Sequence, residues 1–269
     1  MSREEIQNDA LKAIEGLDRA GIAVSMGVGK TLIGLQHIYN NYHDALNVLV
    51  VAPKRSILKS WVDEAKKFNL EHLLEHIKFS TYISLNKQSL NYDIVYLDEC
   101  HNLLFTHELW LSQFNGQIVG LTGTPPKVQS SEKGTMVNKY CPIKYKYITD
   151  DAISDGILND YEIVVHKLKL DERRNYMQKT KSRQFPTSEL ASYNYWTERL
   201  LNASTPKEVQ IMRVLRMKAL MGFPSKERYA KKLFESTNEK VILFANTQDQ
   251  ADKLCKHSYH SGNKQSEVN

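Results

Sequence analysis

The sequence predicts an α/β protein built on a parallel sheet flanked by helices. Three observations carry that reading. Short apolar runs rich in β-branched residues, 47–52 (N-V-L-V-V-A), 93–97 (D-I-V-Y-L) and 117–121 (Q-I-V-G-L), lack the polar alternation of a half-exposed strand and suit strands covered on both faces. Segments with helical apolar spacing lie between them. Glycine, hydroxyl and carboxylate residues follow directly after the runs, at the strand ends where open α/β sheets collect ligands.

Taken in order, residues 4–17 place Ile6, Ala10, Leu11, Ile14 and Leu17 on one helical face, with Gln7 ahead of the first chemical centre. A glutamine amide both donates and accepts, which makes Gln7 a candidate reader of an adenine edge. The apolar run 21–24 reads as a buried strand. It enters V-S-M-G-V-G-K-T at 24–31 and opens onto a helical segment at 32–38. Strand, glycine turn and helix in that order form a phosphate cradle. Gly27 and Gly29 permit backbone conformations closed to residues with a Cβ, so the N–H groups from Met26 through Val28 to Lys30 turn toward a polyphosphate at the helix start. In that cradle Lys30 reaches the β- and γ-phosphates of ATP and Thr31 holds Mg²⁺. The strict pattern asks for glycine where this chain has Val24. A plain glycine turn with a surface lysine is the alternative reading of the same residues.

The run 47–52 ends at Pro53, and 56–68 is an amphipathic helix whose Ile57, Leu58, Trp61, Val62, Ala65 and Phe68 place Trp61 in the core. Lys54, Arg55 and the helix start are positioned to meet a phosphate. Residues 79–82 form a strand ending in hydroxyl side chains. After the strand 93–97 come Asp98, Glu99, Cys100 and His101. Adjacent carboxylates at a strand end are costly unless a cation or a proton transfer uses them. Asp98 is assigned to Mg²⁺ and Glu99 to the attacking water. After 117–121, Thr122, Gly123 and Thr124 are placed to sense the γ-phosphate; an ordinary turn accounts for them equally.

Composition sets the frame. The 269 residues are 41% hydrophobic and 25% charged, as in an ordinary globular protein. No apolar run approaches the ~20 residues that cross a bilayer, and the polar start Met1-Ser2-Arg3-Glu4-Glu5 is unlike a secretory signal, so an intracellular protein is expected, cytoplasmic or nucleoid-associated, with no membrane partner. Cys100, Cys141 and Cys255 lie far apart with no C-x-x-C pair, which points to reduced thiols rather than a disulfide framework or zinc site. The net charge of +5 is uneven: residues 165–232 hold sixteen Lys/Arg against six Asp/Glu. That excess suits a polyanion, and a solvated helical face is its alternative.

The order of these motifs resembles that of the superfamily 2 helicases and translocases, closest to their Swi/Snf and phage UvsW-like branch. V-S-M-G-V-G-K-T is similar to motif I, V-A-P-K with Trp61 and Glu64 to motif Ia, S-T-Y at 80–82 to motif Ib, D-E-C-H to motif II and T-G-T-P to motif III. The resemblance implies a RecA-like domain using ATP and Mg²⁺, with Lys30, Asp98, Glu99 and His101 as the catalytic set. It also implies that His101 couples nucleotide state to a neighbouring domain, and that Pro53, Lys54 and Thr81 touch DNA, duplex or branched.

The expected organisation is a RecA-like domain at 1–150, a crossover with a strand at 151–170, a basic helical segment at 171–236, and the start of a second RecA-like domain at 237–269. In the basic segment Arg213, Arg216 and Lys218 are the expected phosphate contacts. In the last segment a strand at 240–245 precedes a helix from 247 to about 257. No segment resembles the later motifs that carry the family's arginine finger, so residues 1–269 are expected to bind ATP and Mg²⁺ yet hydrolyse slowly. The implied function is ATP-dependent movement on DNA, as helicase or duplex translocase. The alternatives are a nucleic-acid-binding ATP module without sustained turnover, and the motor of a restriction or repair complex.

Overall fold

The computed structural model describes residues 1–179, 183–255, 257–260 and 262. The chain divides into two compact units, Met1–Glu162 and Ile163–Asn269.

The first unit opens with α1 (Arg3–Ile14), started by a reciprocal cap in which Ser2 Oγ accepts from Glu5 N and the Glu5 carboxylate accepts from Ser2 N. It continues through β1 (Arg19–Val24), α2 (Lys30–Asn40), β2 (Val48–Ala52), α3 (Arg55–Lys67), β3 (Ile77–Thr81) and β4 (Ile94–Asp98). Then follow α4 (Glu108–Gln113), β5 (Gln117–Thr122), α5 (Glu132–Tyr140), β6 (Ile143–Tyr147) and α6 (Thr149–Ser154). Six strands pair in the order β3-β2-β4-β5-β1-β6, every pair parallel. The α/β class expected from the sequence is the observed one.

Alternate residues of each strand serve opposite faces. Val48, Val50 and Ala52 join Ile94 and Tyr96 in a core with Ile6, Ala10, Ile14, Ile33 and Trp61 of α1, α2 and α3. Leu49, Val51, Val95 and Leu97 join a second core with Trp110, Phe114, Met136 and Cys141. Burial on both faces is why these strands lack polar alternation. Val24 is fully buried at the end of β1 and joins the first core. The only non-glycine residues with positive φ are Asn69 and Glu99 among those described, so position 24 needs no glycine and a core side chain fits there. The edge strand β6, I-K-Y-K-Y, is additional to the strands expected from the sequence.

The second unit departs from the sequence reading in three places. Residues 162–170 carry no regular structure, and Ile163 and Val165 are 75% and 76% exposed; apolar β-branched residues do not make a strand without a partner. Within 171–236 an antiparallel hairpin, β7 (Tyr176–Lys179) with β8 (Gln184–Thr187), precedes α7 (Glu189–Leu201), α8 (Pro206–Met221) and α9 (Pro224–Glu235), so this segment is not helical throughout. Residues 240–245 form no strand, although α10 (Gln248–Leu254) begins where the helix was expected, capped by Thr247 Oγ1. Residues 263–269 of the expected second-domain start lie outside the described residues.

Helices α7 and α8 share a small core of Trp196, Met212 and Ala219 with Phe223, the residue that precedes α9. Beneath it the fully buried Glu189 accepts from Asp171 N, Ser225 N and Ser225 Oγ, a set of donors that satisfies a carboxylate removed from water.

Candidate active site

The site lies at the carboxyl ends of β1 and β4, with β5 between them. Beyond Val24 the chain turns through Gly27 and Gly29, at φ +86° and +101°, and Gly29 caps α2 in the left-handed region. A Cβ on Gly29 would stand 2.7 Å from Gln7 Nε2, so the position requires glycine for both conformation and space. Gln7, 8% exposed, donates through Nε2 to Val28 O at 2.8 Å and so ties α1 to the loop.

Met26, Gly27, Gly29, Lys30, Thr31, Asp98 and Glu99 line a cavity of about 330 Å³, together with Ile57, Ser60 and Glu64 of α3. Lys30 Nζ lies 2.7 Å from Glu99 Oε1. Glu99 holds a left-handed backbone, φ +51°, that costs a non-glycine residue about 1–2 kcal/mol and turns the chain sharply after β4. Asp98 is 4% exposed; burial raises its pKa, opposed by the Trp61 indole N–H, which donates to Oδ2 at 3.0 Å, and by Lys30. Tyr82 Oη donates to Asp98 O at 3.0 Å, fixing the backbone behind the carboxylate.

His101 joins this acid pair to β5. Asn102 Nδ2 lies 3.1 Å from His101 Nε2, which makes Nε2 the acceptor and puts the ring proton on Nδ1. Nδ1 stands 2.9 Å from Thr122 Oγ1, 3.3 Å from Thr124 Oγ1 and 3.3 Å from Glu99 Oε2. Desolvation lowers the His101 pKa, with Glu99 opposing, so the ring favours its neutral form. A Cβ on Gly123 would meet Lys30 Nζ at 3.1 Å, which places this turn beside the ammonium.

The structure thus gathers Met26, Gly27, Val28, Gly29, Lys30, Thr31, Asp98, Glu99, His101, Thr122, Gly123 and Thr124 around one end of the sheet. One ammonium, a hydroxyl and two carboxylates form an oxygen-rich set of the kind that suits Mg²⁺ beside a polyphosphate. Gln7 is not among the cavity-lining residues. Among the expected nucleic-acid contacts, Pro53 and Lys54 follow β2, and Thr81 pairs with Ala52 at the neighbouring strand end, so these three share one edge. In the second unit Arg213 and Lys218 are exposed on α8, whereas the half-buried Arg216 lies 5.8 Å from the Tyr193 ring centroid. The sequence reading missed the cavity role of α3 and the bonds of Trp61 and Tyr82 to Asp98. The only signal was the spacing of Ile57, Ser60, Trp61 and Glu64, which share one helical face.

All three cysteines are free thiols, and no cluster of metal-ligating side chains occurs among the described residues. No helix among them is long and apolar enough to cross a membrane.

Residues 1–127 match the family described as type III restriction enzyme, res subunit. The match covers a little under half of the 269 residues and includes the glycine loop and the Asp98–Glu99 pair. No curated protein is detectably similar to the chain. Among solved structures, the UvsW helicase from bacteriophage T4 is similar at 16% identity and a TM-score of 0.46, over 54% of this chain and 60% of that one. The SWI2/SNF2 ATPase core of Sulfolobus solfataricus, in complex with dsDNA, is similar at 14% identity and a TM-score of 0.47, over 94% and 68%. A nuclease-deletion mutant of the type ISP restriction-modification enzyme LlaGI, with a DNA substrate mimic, is similar at 14% identity and 0.44, over 93% and 28%. This chain therefore spans 60% of the length of the T4 helicase.

Proposed function

We propose that this chain binds and hydrolyses ATP with Mg²⁺ and couples hydrolysis to movement on DNA, as a helicase or duplex translocase. One observation carries the reading: Lys30, Thr31, Asp98 and Glu99, drawn from two strand ends, line a single cavity beneath a glycine loop. Lys30 neutralises the phosphate charge, and the loop N–H groups orient the polyphosphate. Thr31 and Asp98 would hold Mg²⁺, which when bound neutralises charge developing on the transferred phosphoryl group. Glu99 positions and deprotonates the attacking water. To do so it must leave Lys30, and an arriving phosphate supplies the ammonium with a replacement anion. Gln7 contacts adenine through its amide oxygen while its nitrogen holds Val28.

His101 reports the change. Its ring touches both Glu99 and Thr122, so a moving carboxylate changes its partners. Pro53, Lys54 and Thr81 offer one DNA-backbone edge in the first unit, and Arg213 and Lys218 a second in the other.

The test is phosphate release from ATP by the purified chain and by its Glu99→Gln variant, with no nucleic acid, single strand, duplex, branched DNA and RNA. Slow turnover that depends on Glu99 and that DNA stimulates little is expected. Turnover equal in both proteins, or stimulated by RNA alone, would overturn the proposal.

A further inference from the structure

We infer that Trp61 is a positioning residue for the metal-holding carboxylate: its indole N–H takes one oxygen of Asp98 so that the other is presented to the cavity. The inference rests on the reading of Asp98 as the Mg²⁺ ligand given above.

The contact is directed. Indole Nε1–H is a donor and never an acceptor, so it can hold only an oxygen that accepts. Trp61 is fully buried, and Asp98 Oδ2 lies 3.0 Å away. An asparagine or serine in that position could turn and offer a lone pair instead. The indole excludes that alternative.

The ring is itself fixed from three sides. Its plane tilts against Tyr96 of β4, with centroids 5.6 Å apart. Its far edge fills the space left at Gly34 of α2, where a Cβ would stand 2.5 Å from Cη2 and 3.0 Å from Cζ3. Helix α3 carries it on the face that also lines the cavity through Ile57, Ser60 and Glu64. Gly34 is unfavourable by roughly 1 kcal/mol relative to alanine in a helix interior, so its presence between Ile33 and Leu35 is accounted for by the room it gives the indole. Helices α2 and α3 and strand β4 thus converge on the orientation of one carboxylate. Removing a hydrogen bond that orients a metal ligand typically costs ten- to a hundredfold in metal affinity.

The experiment measures the affinity of a fluorescent, non-hydrolysable ATP analogue in EDTA and across a Mg²⁺ series, for wild type, Trp61→Phe, Gly34→Ala and Asp98→Asn. Phenylalanine keeps a ring and loses the donor; alanine at 34 keeps the donor and displaces it. Both are expected to bind the analogue in EDTA within about twofold of wild type and to need about tenfold more Mg²⁺ for the metal-dependent gain. Wild-type Mg²⁺ dependence in both, with Asp98→Asn impaired, would reduce the indole to packing. Equal losses with and without Mg²⁺ would do the same. Unimpaired Mg²⁺ dependence in Asp98→Asn would overturn the metal-ligand reading itself and the inference with it. If Trp61→Phe fails to fold, Gly34→Ala decides.

Discussion

Lys30 Nζ and Glu99 Oε1 stand 2.7 Å apart, so the residue proposed to hold the terminal phosphates is tied to the residue proposed to activate water. Each keeps the other from its task until a phosphate intervenes.

That pairing separates two variants. Lys30→Ala should abolish productive nucleotide binding. Glu99→Gln removes the anion that competes for Lys30, so nucleotide affinity should hold or rise, while turnover falls by about 10²–10⁴ as expected for a lost general base. Fluorescent-nucleotide titration and phosphate release check the two effects, and normal turnover in Glu99→Gln would refute the assignment.

Gly29→Ala should lower the melting temperature and remove phosphate binding. Its φ of +101° strains an alanine by roughly 1–2 kcal/mol, and the new Cβ meets Gln7 Nε2 at 2.7 Å. Adding Gln7→Ala should recover the steric part of the loss and leave the conformational part. Identical melting temperatures for the single and double variants would place the whole cost in the backbone.

Acid should weaken the first unit through His37. Its ring is buried beside Tyr96, Nδ1 lying 2.6 Å from the phenol oxygen, and burial lowers its pKa from 6.5 to about 4. The unfolded chain therefore binds this proton more readily than the folded one. Stability from the neutral ring is fully present above about pH 6.5 and is lost as pH falls toward 4, by about 3 kcal/mol at most. Urea midpoints at pH 7 and 4.5 for wild type and His37→Gln test this. A wild type that loses no more stability than the variant across that window would exclude His37 as the source.

DNA affinity should respond differently to neighbouring cations on α8. Arg213→Ala with Lys218→Ala should flatten the slope of log affinity against log salt by about 1.8 on duplex, near 0.9 per phosphate contact. Arg216→Ala should act mainly on folding, since the guanidinium faces Tyr193 and such contacts contribute about 0.5–1 kcal/mol. Salt titrations by anisotropy, paired with thermal melts, separate the two. An unchanged slope in the double variant would return both residues to a solvated face.

The sequence exposes the glycine loop and the acid pair because their chemistry is local. Eight consecutive residues build the cradle, and Asp98 and Glu99 end an unmistakably buried strand. Trp61 is a different case: its apolar neighbours announce a core residue, but its partner Asp98 lies 37 positions away and only the fold supplies the bond. The second unit is less legible in the sequence. E-I-V-V-H-K-L-K-L at 162–170 has strand propensity without a strand beside it, and propensity alone does not fix a backbone. In the hairpin, short polar-rich strands offered no apolar alternation to distinguish them from the helices that follow. The edge strand β6 did alternate, and the clue lay in Tyr145 and Tyr147 spaced by lysines.

Inserting β5 between β1 and β4 also sets a ruler. Adjacent strands lie about 4.8 Å apart, so the cradle strand and the acid strand stand roughly 10 Å from one another. A side chain spanning that interval from the loop must have lysine's reach, and any shorter cation leaves Glu99 unanswered. Thr122, ending the strand in the middle, sits within one interval of either bank. Its hydroxyl meets the acid bank through His101 Nδ1 at 2.9 Å, so under the proposed function a displaced Glu99 carboxylate is felt at the central strand through that ring.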